Sequence, residues 1–126
     1  IDSVSLLLGN GDGTFGNETR VSVDSYQQSV ASADFNKDGN EDLVIGYNWG
    51  NVVNVLLGRG DGTFRNQTIY VVGGNPSFVL AADFNNDSNP DLAVANWGDN
   101  SVSILLGNGD GSFQTEPNYK LGNSPR

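Results

Sequence analysis

The sequence predicts an all-β fold of β-propeller blades, each of four antiparallel strands, with about 2.5 blades in the chain. Three observations carry this. Two phrases recur with a displacement of 49 residues: Phe15, Phe64 and Phe113 close one phrase, and Asp34 and Asp83 open the other. Between these landmarks apolar residues alternate or run on over short segments, never with helical spacing. The third-strand phrases end on Gly-x-Gly-Asp-Gly, and an Asp-Gly pair between β-patterned runs is a strong hairpin signal. Periods of this size mark arrays in which one unit cannot bury its apolar face alone.

Within one period the strands follow in order. Residues 77–82 read as a first strand ending at an acidic loop, 91–95 as a second, 101–106 as a third, and 113–121 as a fourth, more polar one. No segment reads as a helix. This divides the chain into a partial blade over 1–26 (third and fourth strands), a complete blade over 27–75, and a complete blade over 76–126 that ends on the entry to a further blade. Phe15, Phe64 and Phe113, at the start of each fourth strand, are expected in the core between blades, as are Phe35 and Phe84 inside the acidic loops. The chain starts and stops out of phase with its blades and begins at Ile1, which reads as a segment of a longer array. Self-assembly of copies through the half-blade is the alternative.

Composition narrows the chemistry. The 126 residues carry 15 Asp plus Glu against 6 Lys plus Arg, a formal charge of −9. A surface of that sign argues against nucleic acid, whose phosphates need positive charge, and against anionic membrane surfaces. There is no cysteine and no histidine, which removes thiol chemistry, disulfides, the usual zinc ligands and the commonest general base. No apolar run is long enough for a membrane helix, so no membrane insertion is expected.

The acidic loops are the candidate chemical sites. Asp34, Asn36, Asp38 and Asp42 place oxygen-bearing side chains at positions 1, 3, 5 and 9 of a nine-residue loop, and Asn40 stands at position 7, where a backbone carbonyl could contribute. Asp83, Asn85, Asp87, Asn89 and Asp91 repeat the pattern. A loop curling around a point turns every second side chain inward, and carboxylate and amide oxygens suit a hard cation. Ca²⁺, with six to eight oxygens at about 2.3–2.6 Å, fits better than the tighter octahedron of Mg²⁺. An EF-hand is excluded because its twelfth position needs a bidentate Glu, where this chain has Ile45 and Val94 between strand-like flanks. The alternative is an Asx-rich turn with no metal. Two copies in register, each with three carboxylates that would otherwise repel, favour the cation. Ser88 replaces the glycine equivalent to Gly39, where positive φ is expected, at a cost of about 1 kcal/mol that makes the second loop the weaker candidate.

The pairing of Asp-Phe-Asn-x-Asp-Gly-Asn-x-Asp-Leu (34–43) with Val-Ser-Leu-Leu-Leu-Gly-Asn-Gly-Asp-Gly-Thr-Phe (4–15) resembles the FG-GAP/VCBS repeats of integrin-α-type β-propellers. The resemblance covers essentially the whole chain. It implies a propeller, usually of seven blades, with Ca²⁺ in the loop joining the first two strands of a blade.

Other features have plainer readings. Arg59-Gly60-Asp61 spells an integrin-recognition tripeptide, yet Arg59 stands where Asn10 and Asn108 stand in sister turns, so one substitution creates the match. Trp49 and Trp97 follow the second strands, where they could stack on a sugar or pack against a neighbouring blade. Asn17 and Asn66 open N-glycosylation sequons at equivalent positions; Asn86 opens a third inside the second acidic loop, where a glycan is less plausible.

These readings converge on an extracellular or cell-surface, Ca²⁺-stabilised propeller segment that serves adhesion or ligand recognition through a protein or glycan ligand. A lectin and a filament-forming repeat protein are the alternatives. Catalysis is not expected, because the carboxylates cluster at metal spacing on short loops rather than across a cleft.

Overall fold

A computed structural model describes residues 2–122. It is all-β and consists of three antiparallel sheets. The first holds β1 (Asp2–Leu6) and β2 (Thr19–Val23), paired from Asp2↔Val23 to Leu6↔Thr19. The second orders β3 (Gln27–Ala33), β4 (Asp42–Tyr47), β5 (Val52–Leu56) and β6 (Thr68–Val71) side by side in chain sequence. The third repeats that order with β7 (Pro76–Ala82), β8 (Asp91–Asn96) and β9 (Ser101–Gly107), flanked by β10 (Phe113–Thr115) and β11 (Tyr119–Lys120). Four antiparallel strands in chain order are the sheet of one propeller blade. The entry to a further blade, read at the chain's end, falls mostly on 123–126, outside the described residues.

The period-2 alternation of strands decides which residue meets which neighbour. Along β4, Leu43, Ile45 and Tyr47 join Val23 and Leu56 in the core between the first and second sheets, with Val4, Val21, Val52 and Phe64 at its margin. Val44 points the other way. It joins Val53, Val55, Leu92, Val94, Leu105, Phe35 and Phe113 between the second and third sheets. Every residue of β4 is therefore buried, as expected of a strand covered on both faces. Register shifts recur at one repeat position, between Gln27 and Ser29 in β3 and between Pro76 and Phe78 in β7.

Two expectations need correction. The fourth strand of the last sheet is not continuous over 113–121 but breaks into β10 and β11, both paired to β9. Pro117 sits in the gap and has no N–H to give to a ladder. The phenylalanines also divide: Phe35 and Phe113 are buried and Phe64 half-buried, but Phe15 is 62% and Phe84 46% exposed. The reason is positional. Phe78, Leu80 and Phe84 are the period-shifted equivalents of Ser29, Ala31 and Phe35, which face the third sheet, and no described sheet covers the third sheet's own outer face.

Candidate metal centre

Each acidic loop joins the first two strands of its sheet, and one buried aspartate anchors it. Asp42, wholly buried, accepts the Phe35 N–H at 2.8 Å on Oδ2 and the Gly58 N–H at 2.8 Å on Oδ1. Asp91 repeats this with Phe84 N–H and Gly107 N–H, both at 2.8 Å. The ninth loop residue thus binds the second loop residue and the base of the hairpin following the third strand. Glycine is required there, since a Cβ at Gly58 would lie 2.2 Å from the Glu41 carbonyl oxygen and one at Gly107 2.0 Å from that of Pro90.

The first loop residue closes the turn. Asp34 accepts from Asp38 N–H at 3.1 Å and Gly39 N–H at 2.8 Å, and Asp83 accepts from Asp87 N–H at 3.2 Å and Ser88 N–H at 2.9 Å. Gly39 has φ 87° and Ser88 φ 71°, so the serine does take the left-handed conformation its position demands. The position-7 side chains turn toward the neighbouring hairpin: a Cβ at Gly60 would meet Asn40 Oδ1 at 2.4 Å, and one at Gly109 would meet Asn89 Oδ1 at 2.6 Å.

The second loop gathers its oxygens more closely. Asp83, Asp87 and Asp91 each offer a carboxylate oxygen within 4.8 Å of the others, the sole such trio among the described residues. One terminus of the Asn85 amide lies 3.0 Å from Asp87 Oδ1, 3.2 Å from Asp83 Oδ1 and 3.3 Å from Asp91 Oδ2. Turned nitrogen-inward, its two N–H groups are shared among three carboxylate oxygens within reach. Turned oxygen-inward, it leaves four oxygens facing one another, an arrangement that a cation balances. In the first loop the Asn36 amide instead donates to Asp38 Oδ2 at 3.1 Å. With Ser88 at its left-handed position, the second loop still brings the carboxylate oxygens of Asp83, Asp87 and Asp91 together.

The electrostatics of the loops are mixed. The exposed carboxyls of Asp38 and Asp87 are held below the usual range, chiefly by the backbone N–H groups of Asn40 and Asn89. Asp42 is pushed up, first by burial and further by the nearby Asp38 and Asp34 carboxylates, against its two backbone hydrogen bonds. A buried carboxylate in that condition gains from a cation, which reverses both unfavourable influences.

The remaining sites lie elsewhere. Asn17 and Asn66 are exposed on the arms leading into β2 and β6. Trp49 is 75% and Trp97 43% exposed in the turns after β4 and β8, and the two are 48 residues apart, one short of the period. Gly98 stands at the repeat position of Trp49, so the tryptophans do not form one equivalent pair. In the Arg-Gly-Asp turn, Arg59 Nη1 donates to the Phe64 carbonyl at 2.7 Å and Asp61 Oδ1 accepts from Thr63 N–H at 2.9 Å. Asp12 and Asp110 accept from Thr14 and Ser112 N–H in the same way, as a shared turn requires. Reading the sequence missed the polar cluster around Asn96, whose amide donates to Ser101 Oγ at 3.0 Å and Ser103 Oγ at 2.8 Å, with Ser103 Oγ donating to Asn118 at 2.8 Å. Its signal was available: three polar residues at strand positions where burial is expected. No helix among the described residues is long and apolar enough to cross a membrane.

Successive antiparallel sheets whose strands follow in chain order, repeated at a fixed period with an acidic loop between the first two strands of the second and third sheets, define a β-propeller-type repeat segment. Residues 2–45, 34–94 and 83–126 each match the FG-GAP-like repeat, and the chain belongs to that family. The second and third matches begin on Asp34 and Asp83, the first residue of each acidic loop. A search of curated proteins returns no match.

Proposed function

We propose that this chain is a calcium-binding propeller segment of the cell exterior that serves adhesion or ligand recognition, with the metal structural rather than catalytic. The observation that carries the proposal is the convergence of Asp83, Asp87 and Asp91 to within 4.8 Å, with the Asn85 amide against all three. Asp83, Asn85, Asp87 and Asp91 would hold Ca²⁺ in one loop and Asp34, Asn36, Asp38 and Asp42 in the other, with the backbone carbonyls of Asn89 and Asn40 available as further ligands. The bound cation would supply positive charge among crowded carboxylates, and two of them would reduce the formal charge of −9 by four. The chain's own residues do the rest. Asp42 and Asp91 tie each loop to its hairpin, and the hairpins present turns and inter-sheet grooves where repeat scaffolds commonly receive ligands. Further blades would come from a longer chain or from copies of this one. Exposed sequons at Asn17 and Asn66 agree with an extracellular setting.

A second reading, recognition of a glycan, is favoured by Trp49, a residue 75% exposed in a polar turn, whose ring could stack on a sugar. Isothermal calorimetry with Ca²⁺ tests the first reading: two binding events that vanish together in Asp38→Ala/Asp87→Ala are expected, and no heat from the parent chain would end it. A glycan array with and without chelator tests the second, and silence under both conditions would remove it.

A further inference from the structure

We propose that Phe35 couples cation binding in loop 34–42 to the docking of the next sheet, so that this loop's affinity depends on an inter-sheet contact and that of loop 83–91 does not. The inference rests on the calcium reading above. Phe35 is the second residue of its loop, between Asp34 and Asn36, which both offer ligand oxygens. Its N–H is held by Asp42 at 2.8 Å, and its carbonyl accepts the Gly111 N–H from the third sheet's hairpin at 3.1 Å. Its ring, 2% exposed, stands edge-on to Phe113 with centroids 5.2 Å apart. Phe113 in turn meets the Tyr70 ring at 5.5 Å and donates its N–H to the Tyr70 hydroxyl at 3.2 Å. One residue therefore belongs at once to the loop backbone, the core between sheets and a hydrogen bond across them.

A cation drawing in the oxygens of Asp34, Asn36, Asp38 and Asp42 fixes the backbone that Phe35 shares with them. The docked hairpin fixes the same backbone. Two events that require one conformation of a shared segment favour each other, and the coupling is reciprocal. Phe84 holds the equivalent place in the second loop, with its N–H on Asp91 at 2.8 Å, but its ring is 46% exposed and no described sheet covers it. That loop bears its own ordering cost.

Calcium calorimetry on paired variants tests this. Asp87→Ala leaves loop 34–42 as the reporter, and Asp38→Ala leaves loop 83–91. Adding Phe113→Leu to each should weaken calcium binding about five-fold or more at loop 34–42 and by less than about two-fold at loop 83–91. Tyr70→Phe, which removes only a hydroxyl, should act in the same direction to a smaller extent and serves if Phe113→Leu fails to fold. In the Asp87→Ala chain, calcium should also slow hydrogen exchange at the Gly111 amide. Unchanged affinity at loop 34–42 in both variants, with calcium still bound, would overturn the coupling and leave the calcium reading standing. No calcium binding by the parent chain would overturn the reading beneath it and the coupling with it.

Discussion

Asp42 Oδ1 accepts the Gly58 N–H at 2.8 Å, and through this bond the acidic loop of the second sheet is fastened to the base of its third-strand hairpin. The partner must be glycine because the Glu41 carbonyl oxygen lies where a side chain would begin. The same pair, Asp91 and Gly107, recurs one period later at the same distance. The anchoring aspartate and its glycine are thus one structural unit, inherited by each repeat.

Gly58→Ala is expected to destabilise the chain by about 2 kcal/mol or more, since the clash at 2.2 Å is with backbone that cannot rotate away. Gly107→Ala should behave alike. Gly50→Ala is the control, because a Cβ there meets nothing within 4 Å, and it should stay within about 0.5 kcal/mol of the parent in urea unfolding.

Asp42→Ala removes the acceptor of two backbone N–H groups at a wholly buried position. Orphaned donors cost about 1–3 kcal/mol each, so a loss of about 2–6 kcal/mol is expected in denaturant melts. Asp38→Ala, in the exposed part of the same loop, should cost far less without calcium and should matter chiefly in its presence.

Ser88→Gly should stabilise the chain by about 0.5–1 kcal/mol, because Ser88 holds φ 71° where glycine has no steric penalty. Thermal melting of the two proteins in chelator isolates this backbone effect from any change in calcium affinity.

Much of this is legible in the sequence. The period located both acidic loops because Asp-x-Asn-x-Asp fixes side-chain direction locally, and the short apolar runs between them marked the strands. Reading Phe15 and Phe84 as core failed because burial there depends on a neighbouring sheet, which a residue's own segment does not encode. The break between β10 and β11 falls at Pro117, which has no N–H to give to the ladder. The bond from Gly111 to Phe35 joins residues far apart in sequence, and no spacing rule reveals it.

The three turn aspartates predict a shared titration. Asp12, Asp61 and Asp110 are each held below the usual carboxylate range, first by the Thr14, Thr63 and Ser112 hydroxyls and then by the backbone N–H groups of those residues. A folded pKa below the unfolded one contributes stability that is present above the unfolded value and is lost as pH falls through the folded one. All three should therefore titrate below an ordinary aspartate by NMR. Thr63→Ala should raise Asp61 toward the ordinary value and leave Asp12 and Asp110 unmoved.

The central claim is that the acidic loops hold structural calcium, and thermal melting across a calcium titration tests it most directly. A ligand that binds only the folded state stabilises it by about 2.7 kcal/mol per site at a hundred times its Kd. The melting temperature should rise with millimolar Ca²⁺, fall again in chelator, and lose this response in Asp38→Ala/Asp87→Ala. A melting temperature that stays the same from chelator to millimolar Ca²⁺ would contradict the account.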